Sequence, residues 1–198
     1  MKKVLLQLAL FIVIVVIGYF VYQSIMEPLE FRREQRKREV AVINKLKDIR
    51  NAQVIYRNLI GSYSNNFDSL EAFLKTAEIP VVKMIPDPED TTFTKTINDT
   101  VGYIKVTDSL FQGKDYAVDD LDFIPFSQGE SFEMDADTIE RGGVEVHVFE
   151  VKAPYTAYLK GMDKQTVINI IAKQEDIERY PGLKVGSMQE PTTDGNWE

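Results

Sequence analysis

The chain has 198 residues, 44% of them hydrophobic, and carries a net charge of −8 with no cysteine. Without cysteine there is no disulfide framework, no thiol nucleophile and no Cys-type zinc site. The charge is uneven: residues 1–40 carry a net +3, which leaves −11 on residues 41–198, and so acidic a region disfavours nucleic acid, whose phosphates require clustered Lys and Arg.

Residues 4–26 contain no charged side chain. A bilayer core of about 30 Å needs roughly 20 apolar residues in a helix, so this run predicts one transmembrane anchor, contributed by residues 1–27. Tyr19 and Tyr22 stand near its exit, where interfacial aromatics gather. The run exceeds the roughly 7–15 residues of a cleaved signal core, and no small-x-small cleavage site follows it. Lys2 and Lys3 place the N-terminus inside. Arg32, Arg33, Arg36, Lys37 and Arg38 argue the other way, but they begin six residues past the span and are interleaved with Glu30, Glu34 and Glu39. The expected location is a bacterial inner (cytoplasmic) membrane, single-pass, with the soluble part exported.

Residues 28–61 predict a stalk that continues into an amphipathic helix. Val42, Leu46, Ile49, Gln53, Tyr56 and Ile60 recur at alternating spacings of four and three, which places them on one seam. Tyr56 and Ile60 are expected to pack on the chain's own sheet, because Gly61 turns the chain back there. Val42, Leu46 and Ile49 are nearer the membrane, beyond the expected reach of the domain. The seam of Val42, Leu46, Ile49, Gln53 and Tyr56 is therefore the candidate interaction surface for another membrane or envelope subunit.

Residues 62–187 predict a soluble α+β head. Asp68 or Asn66 can cap a short helix carrying Leu70, Phe73 and Leu74. Strand patterns follow at 81–85, 91–97 and 101–107, the last two separated by Asn98-Asp99; 116–118 and 122–126 are further candidates. The clearest strand is 144–151, and Gly142-Gly143 predicts a hairpin joining it to 132–139. Pro154 opens a short helical turn, Asp163 caps a helix bearing Val167, Ile168, Ile170 and Ile171, and Pro181-Gly182 stops it. Residues 182–186 read as a loop, and 188–198 as a flexible polar tail with Trp197 as its one large apolar side chain.

No catalytic signature is found. His147 is the only histidine and falls within the strongest strand pattern, which marks it as a sheet-face residue; a His metal site needs more ligands. No G-x-S-x-G and no glycine-rich phosphate loop occurs. Three acidic clusters, Asp87/Glu89/Asp90, Asp119/Asp120/Asp122 and Asp135/Asp137, are admissible as calcium ligands, but none has EF-hand spacing. The expectation is no enzyme, no cofactor and no metal.

A membrane helix running into a long amphipathic helix that packs on a small antiparallel sheet, followed by C-terminal helices, resembles type IV pilins and the pseudopilins of type II secretion systems. The residues that carry the resemblance are Ile49-Arg50-Asn51-Ala52-Gln53, Tyr56, Gly61-Ser62-Tyr63, Phe67-Asp68-Ser69-Leu70 and Phe73-Leu74, within residues 1–75. It implies a structural or assembly component of an envelope or secretion machine. The family's leader glycine and membrane-helix glutamate have no counterpart: Lys3 precedes Val4, and the first Glu is Glu27. Prepilin cleavage is therefore not expected. The alternative is a membrane-tethered binding or sensory module, with calcium as one ligand.

Overall fold

The computed structural model describes residues 2–86 and 96–198. Helix α1 runs without interruption from Lys2–Ile60. At 1.5 Å per residue it is roughly 90 Å long. Its N-terminal part is long and apolar enough to cross a membrane, with a mean hydropathy of 2.4 over its most apolar window and none of that window buried. Pro28 lies inside the helix, two residues past the apolar run. Gly61 stops it: its φ of 99° is a left-handed value that suits glycine, and its N–H donates to the Arg57 carbonyl at 2.8 Å.

The head is α+β. Helix α2 (Phe67–Thr76) is capped by Asn66, whose side chain accepts from the Ser69 N–H. Strands β1 (Glu78–Pro86) and β2 (Thr96–Lys105) pair antiparallel in a two-stranded sheet with an irregularity at Val81/Val82. Part of the expected strand at 91–97 lies outside the described residues. Asn98-Asp99, read as a break, is inside β2 and pairs with Met84 and Lys83. A short helix, α3 (Val106–Leu110), follows. The candidate strands at 116–118 and 122–126 are instead a 3-10 turn at Val118–Asp120 and a single bridge from Phe123 to Ser131.

Strands β3 (Glu133–Arg141) and β4 (Val144–Pro154) form the expected hairpin. Gly142 and Gly143 both have positive φ, 62° and 79°, as a two-residue turn matched to strand twist requires. Helices α4 (Tyr155–Tyr158) and α5 (Lys164–Glu175) come next, α5 capped by the Asp163 carboxylate on the Thr166 N–H. Residues Gly182–Gly186, read from sequence as a loop, form strand β5, which pairs antiparallel with β4. Leu183 and Val185 alternate with Lys184 and are buried, but three alternating residues between glycines are too short a pattern to read.

The tail is not free. Gly195 bridges Val185, the Asn196 N–H donates to the Lys184 carbonyl at 3.0 Å, and Trp197 packs against the core. Glu198 pairs with Arg50 of α1 at 2.8 Å. The tail thus extends the sheet edge and closes against α1, because the Asn196 side chain accepts from the Lys184 N–H and donates to the Gly182 carbonyl.

The core lies between α1 and the β3–β4–β5 sheet. The core side of β4 is Phe149, Val151 and Ala153, all fully buried. His147 has the same parity, two residues further towards the hairpin turn.

Candidate functional site

The proposed seam is the centre of the head. Val42, Leu46, Ile49 and Gln53 are each 0% exposed within the single chain. Tyr56 is half-buried, edge-on to Phe73 at 4.8 Å, and Ile60 is 57% exposed. The expected order is therefore reversed: the membrane-proximal part of the seam is covered by its own domain and the distal end is open. β5 and α4, together with the Gly61 loop, explain this. β5 lies against α1, and Arg38 donates to the carbonyls of Tyr158 and Lys160 at 3.1 and 2.9 Å, which fixes α4 over the stalk. Val42, Leu46, Ile49 and Gln53 consequently offer no surface to a partner.

Gln53 is polar, fully buried and completely used. Its Oε1 accepts from the Ser64 N–H at 2.9 Å, and its Nε2 donates to the Ser64 carbonyl at 2.8 Å. The amide acts as a strand neighbour would and holds the chain reversal after Gly61 against the helix. Any variant without the amide strands two buried backbone groups, each worth about 1–3 kcal/mol.

A second side of α1 is charged and buried. The Lys45 ammonium donates to the carbonyls of Asp120 and Phe123 and lies 4.8 Å from the centre of the Tyr116 ring. Burial lowers its pKa, and Asp120, Asp122 and Glu71 oppose that shift. Asp48 accepts from Lys114 at 3.0 Å and from the Tyr116 hydroxyl at 2.5 Å. Burial, then Asp48, pushes the Tyr116 hydroxyl far above its ordinary value. These bonds tie the 111–123 loop to α1 and are spent on structure. On the sheet, Glu150 bridges Lys152 at 2.5 Å and Lys184 at 2.7 Å. Burial alone would raise its pKa, but the two lysines overcome this and hold it below the usual carboxylate range.

Three open features bear on function. The first is a polar recess of about 390 Å³ at the Gly61 end, lined by Tyr56, Ser62, Asn65, Ser69, Thr138 and His147 among others. His147 Nδ1 is 2.8 Å from Thr138 Oγ1. The second is the β1–β2 arm, which pairs with no other strand among the described residues. Val82, Val101 and Ile104 are exposed on it, and Tyr103 is 68% exposed. The third is an open corner of about 1010 Å³ between the stalk and α5.

The acidic clusters within the described residues do not converge. Asp119 pairs with Lys75, and Asp122 accepts from Ser131 at 2.8 Å. Asp87, Glu89 and Asp90 lie outside the described residues. Among the described residues no group of three or more His, Asp or Glu side chains is placed to hold a metal ion. No protein-family model matches the chain, and no curated protein or solved structure matches it significantly.

Proposed function

We propose that the chain is a membrane-anchored structural or assembly component of a bacterial envelope or secretion-type machine, spanning the cytoplasmic membrane once with its head exported. The observation that carries this reading is the continuity of α1. One helix is both the apolar, membrane-length segment and the central element of the head core. No linker separates them, so head and anchor share one axis. Fixed orientation is what a subunit packed among neighbours in a membrane needs, whereas a tethered binding module gains reach from a flexible stalk. The pilin-like layout of the sequence agrees with it.

With the seam enclosed, the contact surface moves to the β1–β2 arm. Val82, Val101, Tyr103 and Ile104 are all exposed on it, and an unpaired two-stranded ribbon is marginal in water without a partner. The experiment is crosslinking of the full chain in membranes. A flexible Gly-Ser segment inserted after Leu29 should preserve head folding and membrane attachment but abolish discrete crosslinked species. Tyr103→Ser with Ile104→Ser should do the same with the helix intact. Crosslinks identical to those of the parent in both variants would sink the assembly reading.

The second reading, an anchored binding module, is favoured by one feature, the recess around His147. Its hydroxyl, amide and imidazole groups suit a small polar ligand. His147→Gln would then abolish ligand binding at unchanged melting temperature; under the assembly reading it changes neither crosslinking nor stability.

A further inference from the structure

Helix α5 carries Val167, Ile168, Ile170 and Ile171 yet buries no residue completely. On one face, Asp163, Thr166, Ile170 and Lys173 recur at spacings of three, four and three. That face forms one wall of the open corner of about 1010 Å³, and stalk residues from Glu27 to Gln35 form the other. The corner opens immediately past Met26, where the uncharged run ends.

Depth then constrains what fills it. Beyond the hydrocarbon core, the headgroup layer is roughly 5–8 Å thick on each side of a bilayer. From Glu27 to Phe31 the helix rises about 6 Å. The lower wall of the corner therefore lies at headgroup depth, and tilting of α1 would bring α5 closer still on one side. The occupant is thus set by continuity with the bilayer, and this rests on the reading of α1 as a membrane anchor.

The geometry points to the corner between the stalk and α5 as a phospholipid-headgroup site that seats the head on the membrane surface. The charges lining it are mixed. Glu27 accepts from Gln23, Glu34 from Arg38, and Asp163 from Thr166. Arg32, Lys173 and Glu30 line it as well. Arg32 and Lys173 suit a phosphate, Glu30 suits an ammonium, and Phe31 and Ile170 offer apolar surface to the glycerol end. The matching headgroup is zwitterionic, with a phosphate and a hydrogen-bonding amine, as in phosphatidylethanolamine.

The absence of cysteine allows single-site labelling of the full chain. An environment-sensitive fluorophore is placed on Ile170→Cys, on Lys173→Cys, or on Val144→Cys at the distal hairpin, and each protein is reconstituted in phosphatidylethanolamine/phosphatidylcholine vesicles. The labels at 170 and 173 should shift to shorter wavelength and lose intensity to a headgroup-level quencher, while the label at 144 should do neither. Lys173 is exposed, so the second label protects the test if the first disturbs packing. Arg32→Gln, combined with Lys173→Gln, should remove the quenching at 170. If the chain floats with the vesicles but 170 and 173 behave like 144, the headgroup site is wrong and the anchor stands. Quenching unchanged by the double substitution also overturns the site. A chain that does not float removes the anchor and the inference with it.

Discussion

The two ends of α1 are one helix with two different surfaces. Between Leu8 and Ile25 apolar side chains point in every direction, and all the large ones are exposed in the isolated chain. Between Val42 and Gln53 the apolar stripe of Val42, Leu46, Ile49 and Ala52 is fully buried, while Lys45 and Asp48 bury their charged groups on a neighbouring face. The first segment has no wet side and is long and apolar enough to cross a membrane, which is compatible with lipid around it. The second has a dry side and a polar side, and the sheet and the 111–123 loop divide them. The comparison teaches that a helix apolar on every side suits lipid as its surroundings, whereas a helix with one apolar stripe is covered by its own domain.

The sharpest way to test this contrast is to truncate one side chain in each half. Leu46→Ala should lower head stability by about 2–5 kcal/mol, because its site is enclosed on all sides. Ile14→Ala should leave the melting temperature of the head unchanged. Thermal unfolding of the two detergent-solubilised variants checks both; equal losses would erase the distinction. Leu46→Glu with Ile49→Glu should unfold the head, not merely separate it from a partner.

The same pairing holds for glutamines at comparable magnitude. Gln53→Leu leaves the Ser64 N–H and carbonyl without partners and should cost about 1–3 kcal/mol for each. Gln7→Leu, in the exposed apolar half, should cost the head nothing. Denaturant midpoints of both variants give the answer.

The smallest expected effect is a pH dependence confined to the head. Glu150 has a folded pKa below its unfolded value of about 4.5. Its contribution is therefore present above that pH and is lost as pH falls through the lowered folded value. Glu150→Gln should flatten the acid limb of stability below about pH 4.5. Glu34 in the stalk is also lowered, first by Arg38, but it is solvent-exposed. Glu34→Gln should leave that limb unchanged, since exposed pairs contribute little. Melting temperatures across pH measure both.

Much of this was legible in the sequence, and the failures have a common physical cause. The uncharged run, the Gly142-Gly143 hairpin and the caps at Asn66 and Asp163 are local signals, read from neighbouring residues. The 42–53 seam was legible as a surface needing cover. Its period cannot say which chain supplies the cover, and here β5, α4 and the tail do. β5 and the ordered tail were missed, and the turn expected after Pro154 gave no sign of where it packs, because each is short and is fixed by distant partners: Arg38 holds α4 across 120 residues, and Arg50 holds Glu198 across 148. The His147 recess was equally hidden. It exists only because β4 continues past the point where α1 ends and the Gly61 loop returns, and no spacing in the sequence encodes that meeting.

The most direct measurement of the central claim is the distance between spin labels on Tyr22→Cys, within the apolar half, and Asn44→Cys, on the exposed side of the head half. The two positions are 22 residues apart along α1, so a continuous helix places their backbones about 33 Å apart. A single narrow distribution near that distance in vesicles is the expected result. A broad distribution, or one centred well below it, would mean that the stalk bends or unwinds between membrane and head and would contradict the rigid connection on which the account rests.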